Sequence, residues 1–222
     1  MSIAGSFSSR LNRAAKTRAS YDALAEEYAK HICNELDHRP LERDLLERFT
    51  QQCGLCGLIC DLGCGPGHIA RYIQKFNPDV FGLDLSLGLL VQARKRNPGM
   101  VFIQGDMLAL PFPDGQLGGI VAFYSIIHFD DKQVTHALKE IRRVLRPEGQ
   151  LLLGFHVGTN VVHADEVWGV SVDLEARFFA MHDLVARLTR LRFRVLEQLQ
   201  REPYPEVEYQ SVRGYIWGQK TG

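Results

Sequence analysis

Residues 53–67 read CGLCGLICDLGCGPG, and two chemistries compete for them. Cys53, Cys56, Cys60 and Cys64 are four of the chain's five cysteines, spaced like metal or iron–sulfur ligands. The same letters contain LICDLGCGPG, a short apolar run followed by a glycine-rich turn, which is how a cofactor-binding loop begins. The ligand reading fails on spacing, because the run lacks the paired C-x-x-C units of zinc ribbons and is not a ferredoxin pattern. Cys60 also sits inside the apolar run, where a thiol packs as a small hydrophobe. Thiolates divided between a strand and the loop after it do not converge on one ion, so no metal site is expected.

The loop reading accounts for more residues. A strand ends near Asp61, and Gly63, Gly65 and Gly67 follow at alternate positions before a helix opening at His68. Glycines permit the sharp turn and let backbone N–H groups approach a ligand at a helix N-terminus, where the dipole favours negative charge. A second strand ends about 20 residues later at Asp84, where an adenosine ribose needs a carboxylate. Counted from Gly63, the third position of a dinucleotide fingerprint is His68 rather than Gly or Ala, and no P-loop Lys-Ser/Thr follows. A ligand with a ribose and a carboxylate but no phosphate fits best.

Outward from this loop the texture alternates. LICDL, DVFGLDL, MVFIQGD and GGIVAFY have strand length and end near polar or glycine residues. Between them HIARYIQKF, SLGLLVQARKR and KQVTHALKEIRRVL have helical character. Such alternation predicts βαβ units in a parallel sheet. A fifth strand, Leu151 to Phe155, follows a Pro147–Gly149 turn, then a helix over HDLVARLTRLR. FRVLEQLQ and EYQSVRGYIWGQ alternate apolar with polar residues and predict an antiparallel hairpin. Before the loop, a helix capped by Ser20 carries Tyr21, Leu24, Tyr28 and Ile32 at near-helical spacing, and a second follows Pro40. Residues 1–19 hold Arg10, Arg13, Lys16 and Arg18 before the first acid, Asp22. They read as a flexible basic tail ahead of one domain over 20–222, with a transit peptide as the alternative.

Composition bounds the function. With 26 basic and 26 acidic residues the chain is formally neutral, against the basic excess of phosphate-driven nucleic-acid binding. The chain lacks an apolar run long enough for a membrane span, and its odd, clustered cysteines do not form a secreted disulfide framework. A cytoplasmic protein with reduced thiols is expected.

DLGCGPG, GLDLS, GDMLALPFPDGQLGGIVAFYSIIHF and EIRRVLRPEGQLLLGF, in this order, resemble the class I S-adenosylmethionine-dependent methyltransferases. The likeness runs over about residues 20–218 and is greatest to the subgroup with quinone-biosynthesis and sugar or natural-product enzymes. It implies a Rossmann-like, doubly wound α/β fold: a seven-stranded sheet, mostly parallel with an antiparallel C-terminal strand, plus N-terminal helices. It also implies S-adenosylmethionine as cofactor and S-adenosylhomocysteine as product. By the same resemblance Asp61 engages the methionine end, Gly63, Cys64 and Gly65 present backbone to it, and Tyr21 reaches its carboxylate. Asp84 with Leu85 holds the ribose, Asp106 and Met107 meet the adenine, and Phe123 and Tyr124 line the floor near the sulfonium. The helix before the last hairpin ends in LTRLRF, without the glycine stop common in the family, which leaves that turn's geometry open.

Methyl transfer from a sulfonium is an in-line displacement in which the protein positions the acceptor and excludes water. Oxygen and nitrogen acceptors must also lose a proton, which a general base assists. Open parallel sheets bind ligands beyond the carboxyl ends of their strands. His128 follows the fourth strand and is the candidate base. His156, ending the fifth, is a candidate substrate contact, with Tyr28, Tyr124 and Trp168. His163, Asp165 and Glu166 lie on the segment after the fifth strand, where Trp168 and Phe178–Phe179 either wall an apolar acceptor or form a local core. The expected partner is a small-molecule acceptor, with O, N or C open as the methylated atom. Rival readings are a dinucleotide oxidoreductase, opposed by His68 and GDM, and a non-catalytic S-adenosylmethionine-binding regulator. A base-methylating enzyme is opposed by AFYS where an NPPY-type sequence belongs.

Overall fold

Each strand of the central sheet alternates side chains between two apolar clusters, and that alternation organises the chain. The computed structural model describes residues 3–53 and 57–222, and of residues 3–12 the backbone course alone. In β1 (Ile59–Leu62), Ile59 points into one cluster and Cys60 and Leu62 into the other. β2 (Val80–Asp84), β4 (Leu117–Phe123) and β5 (Leu145–His156) repeat the pattern through Val80 against Phe81, Val121 against Ile120, and Leu152 against Leu151. Strands apolar on both faces must be covered on both. One cover is α2 (Pro40–Cys53), α3 (His68–Gln74) and α4 (Leu87–Arg96), through Phe49, Ile73 and Leu90. The other is α5 (Asp131–Val144) and α6 (Met181–Arg190), through Leu138, Ile141, Leu184 and Leu188.

With β3 (Val101–Gln104), β8 (Phe193–Arg201) and β9 (Arg213–Lys220) the sheet has seven strands in the order β3-β2-β1-β4-β5-β9-β8. β1 to β5 pair in parallel, and β9 runs antiparallel to both neighbours. This is the doubly wound architecture expected, with the hairpin of β8 and β9 at its edge. Strand order reverses between β1 and β4, which opens a crevice beyond their carboxyl ends. Local signals start the helices. Ser86 caps α4 by accepting from the Leu89 N–H, and Asp130 and Gln133 close a capping box on α5.

Three expectations are corrected. Residues 3–19 of the stretch taken as a flexible tail belong to α1, which runs Ile3–Ile32. Within the described side chains, Arg13 pairs with Glu175 and Lys16 with Asp173, so these two are neutralised by a strand absent from the local sequence. Ser20 lies inside α1 rather than at its start; its hydroxyl accepts from the Asp173 N–H (2.9 Å) and donates to the Asp173 carbonyl (3.3 Å). The fifth strand begins earlier, at Leu145, because the Pro147–Gly149 turn is absorbed as an irregularity in the β4–β5 pairing, with Glu148 at φ 62°. The turn after α6 needs no glycine, since Arg192 itself adopts the left-handed conformation at φ 56°.

The segment after β5 forms a second, two-stranded sheet, β6 (Val161–Val167) and β7 (Val170–Arg177). Its two-residue turn is Trp168 at φ 50° and Gly169 at φ 79°, the doubly left-handed pattern whose twist suits a hairpin. The hairpin lies along α1 and packs Val172 and Leu174 with Leu24.

Candidate active site

The glycine loop between β1 and α3 is shaped by what a side chain would strike. At Gly63, φ 76°, a Cβ would stand 2.4 Å from Ser125 Cβ; at Gly65, φ 53°, it would face only Tyr28, at 3.6 Å, across the crevice. The amides of this loop do not point outward, contrary to the expectation. Gly63 and Cys64 N–H both donate to the Leu83 carbonyl (2.7 and 3.0 Å), and Gly65 N–H donates to Asp84 Oδ2 (2.8 Å). At the N-terminus of α3 the Ala70 N–H is likewise taken, donating to Asp61 Oδ2 (2.9 Å). The loop therefore offers close approach, and the carboxylates behind it offer the polar contacts.

Asp84 ends β2 on the crevice floor, 9% exposed. Its two oxygens accept from Gly65 N–H and Ser86 N–H, each at 2.8 Å, so it braces the loop and the start of α4 together. Burial raises its pKa against these two amides. Burial likewise pushes Asp61 up to about 7, opposed by His68 and the Ala70 N–H. Asp106 Oδ1 accepts from Leu108 N–H (2.8 Å), an Asx-type turn that fixes the carboxylate beside the buried Met107.

The crevice has two chambers. The narrow one, about 110 Å³, is lined by Asp84, Leu85, Asp106, Met107, Gly63, Gly65, Ser125 and His128. The wide one, about 800 Å³, is lined by Asp61, Cys64, His68, Arg39, His156, Trp168 and Arg213. Tyr21, Tyr28, Phe123 and Tyr124 line both and mark the junction. The candidate base and the candidate cofactor and substrate residues thus border one crevice, while Phe178 and Phe179 do not line it. Nor does His163: it pairs with Asp165 (2.8 Å) on the exposed hairpin. Cys60 packs in the sheet core, Cys53 under α2 and Cys64 beneath the loop, while Cys56 lies outside the described residues.

His128 is committed. The Glu175 carbonyl can only accept, so His128 Nδ1–H donates to it (2.8 Å) and Nε2 is left to accept from the Tyr21 hydroxyl (2.9 Å). Burial lowers the His128 pKa, keeping the ring neutral, and burial with the Asp84 charge raises that of Tyr21. Tyr21 therefore faces the crevice with an imidazole behind it. Tyr124 follows β4 in a left-handed conformation, φ 54°, and its hydroxyl meets that of Tyr215 (2.8 Å). Tyr215 in turn donates to the buried Glu42. His156 is held by Ser211 Oγ (2.7 Å), and burial with the nearby Arg213 pushes its pKa down to about 3, so it is no base at neutral pH.

Several crevice residues carry no signal in the sequence. Glu35 joins His68 Nε2 (2.9 Å) to Arg39 (3.0 Å). Arg39 Nε and His68 Nδ1 then remain buried without partners at the wide chamber, as does Ser125 Oγ at the narrow one. Such atoms are costly unless a ligand satisfies them. A ligand with adenosine hydroxyls at one end and a carboxylate at the other fits this set, as S-adenosylmethionine has. Spacing could not find them, because Arg39 and His68 are brought together only by tertiary contact through Glu35.

Comparison with known proteins agrees with this geometry. A family profile described as "Methyltransferase domain" matches residues 59–149. The malonyl-[acyl-carrier protein] O-methyltransferase of Enterobacter lignolyticus is 28% identical over 177 residues, spanning 78% of this chain and 67% of that protein. Among solved structures, an S-adenosylmethionine-dependent methyltransferase from Methanosarcina mazei superposes with TM-score 0.64 at 22% identity, covering 73% of this chain and 92% of that one. An S-adenosylmethionine-bound amino pentose methyltransferase from Micromonospora echinaspora superposes with TM-score 0.58 at 18% identity, covering 80% and 89%.

Proposed function

We propose that this chain, a class I S-adenosylmethionine-dependent methyltransferase, methylates a small-molecule acceptor held in the wide chamber. The observation that carries the reading is the junction: Tyr21, Tyr28, Phe123 and Tyr124 border both the chamber with the adenosine-type carboxylates and the chamber with room for a second reactant.

When bound, S-adenosylmethionine supplies a methyl group already activated by its sulfonium. Asp84 keeps lone pairs that would hold the two ribose hydroxyls, with Leu85 beside them, while Asp106 and Met107 would hold the adenine. Gly63, Cys64 and Gly65 would let the methionine portion lie against the loop, where Asp61 would hold its ammonium group and Arg39 Nε–H, buried without a partner, its carboxylate. Phe123 and Tyr124 exclude water from the junction and align the acceptor for in-line attack. The acceptor's proton passes to the Tyr21 oxygen while the Tyr21 proton moves to His128 Nε2. His128 thus acts through Tyr21, and His156, held neutral, serves as a substrate contact. Homologous proteins that methylate small carrier-bound or sugar substrates support a small molecule over a nucleic acid, as does formal neutrality.

Calorimetric titration with S-adenosylhomocysteine, with NADH in parallel, tests the cofactor. Saturable binding of the first alone is expected. Binding of NADH alone would return the crevice to a dinucleotide reading.

A further inference from the structure

The β6–β7 hairpin turns on a side chain that its own backbone does not favour. Both turn residues are left-handed, Trp168 at φ 50° and Gly169 at φ 79°. Glycine, asparagine or aspartate suits the first of these positions, and a bulky ring there is strained. Such strain persists only where surrounding contacts hold it. Here it delivers the indole to the end of α1. The Trp168 ring lies on the His31 imidazole, centroids 4.2 Å apart and planes 15° from parallel, and stands 6.0 Å from the Tyr28 ring. All three line the wide chamber, and Trp168 is 44% exposed, so the indole sits at the rim rather than in a core.

Behind this tip the hairpin is tied to α1 more firmly. Ser20 bonds both backbone groups of Asp173, and Leu24 packs with Val172 and Leu174. The stack at the rim is therefore the contact that can open while the rest stays seated. His31 stands in the last turn of α1, the helix end at which positive charge is favoured. Histidine gains its charge between about pH 8 and pH 5. A neutral imidazole stacks on indole as one flat ring on another. An imidazolium at this separation is also drawn to the negative face of the indole. Of the charged groups around the rim, Glu27 lies one turn back on α1 and is held by Lys30 (2.6 Å). Lys30, and to a lesser degree His31, keep its carboxyl below the usual range. Glu35, just after α1, is held by Arg39 and His68, and Glu206 borders the chamber from the loop before β9. Among the described residues none of these carboxylates forms an ion pair with His31, which leaves the indole as its partner.

We propose that the Trp168–His31 pair is a pH-responsive latch: protonation of His31 clamps the hairpin tip onto α1 and narrows the way into the wide chamber, and deprotonation loosens it. The latch acts on whatever enters the chamber and needs no particular occupant.

Tryptophan fluorescence of the unliganded protein tests this. The chain has two tryptophans, and the other, Trp217, is buried at 2% exposure. Acrylamide should quench Trp168 about two- to fivefold less readily at pH 5.5 than at pH 8, the range set by a cation over an exposed indole. Trp168→Leu should remove the difference, which assigns it to that ring. His31→Gln should keep the quenching constant at its pH 8 value throughout, and His31→Lys, charged across this range, should hold it low at both ends. Circular dichroism at each pH checks that the variants keep their fold. An unchanged constant in the native protein, a rise on acidification, or an equal fall in His31→Gln or His31→Lys would overturn the proposal. With no ligand present, the outcome is independent of what the chamber binds.

Discussion

At the scale of single residues, the crevice is governed by what burial does to carboxylates. Asp84 was legible from its place at the end of a predicted second strand, but the sequence could not show that both its oxygens brace the loop and the next helix. Asp84→Ala should weaken S-adenosylhomocysteine by roughly 1.5–3 kcal/mol, the worth of charge-assisted hydrogen bonds. Asp84→Asn, which keeps one acceptor, should lose less; equal loss in both would point to collapse of the loop. Asp61 carries a pH dependence. Its folded pKa of about 7 lies above the usual 3.8, so the folded chain holds a proton there between about pH 4 and pH 7. The stability it contributes is complete below the lower value and is lost as pH rises through the higher one. In the proposed seating, a cationic ammonium beside Asp61 would favour the ionised form. Affinity for S-adenosylhomocysteine should therefore climb by up to about tenfold per pH unit below 7 and level off above it. Calorimetry from pH 5.5 to 8 should show this slope in the native protein and a flatter one in Asp61→Asn.

At the scale of elements, α1 and the hairpin form the roof of the crevice, and each depends on the other. The hairpin turns on Trp168 and Gly169, both left-handed, which delivers Trp168 against His31 and Tyr28. Ser20 ties α1 to β7 through both backbone groups of Asp173. Ser20→Ala would remove both bonds to the Asp173 backbone, costing about 0.5–1.5 kcal/mol for each net hydrogen bond lost. Hydrogen exchange should rise first in β7 and the facing turns of α1, ahead of the central sheet. Uniform exchange across the molecule would show that the roof does not open separately. The sequence signalled helix periodicity in α1 and a Ser compatible with a cap. The same hydroxyl serves a strand 153 positions away, which no local pattern records.

At the scale of the whole molecule, one buried carboxylate ties the edge of the sheet to the helical layer. The Glu208 side chain, 0% exposed, lies among Arg201 of β8, Arg213 of β9 and Arg39 just before α2. Burial would raise its pKa, yet Arg201 and the Tyr204 N–H outweigh that and hold it low. Glu208→Gln removes the shared counter-charge of three guanidinium groups, and breaking a buried pair in this way costs about 3–5 kcal/mol. A urea midpoint lowered to match, with the slope unchanged, is the expected result. A change under about 1 kcal/mol would mean the surface loop is supported by its other contacts. Among the described residues no helix is long and apolar enough to cross a membrane.

The sequence by itself determined the order of the main-sheet strands and the helices between them, though not the β6–β7 hairpin, together with the two-faced burial of the parallel sheet and the positions of Gly63, Gly65, Asp84 and Asp106. These follow from local causes: apolar runs of strand length, left-handed turns that favour glycine, and capping residues at helix starts. Only the tertiary structure decided that Tyr21 donates to His128, that His156 stays neutral beside Arg213, and that Glu35 leaves Arg39 Nε and His68 Nδ1 unsatisfied. It likewise turned the basic N-terminal stretch into the helix that roofs the crevice. Proton positions, burial and ion pairing depend on groups far apart in the chain, and local sequence carries none of that information.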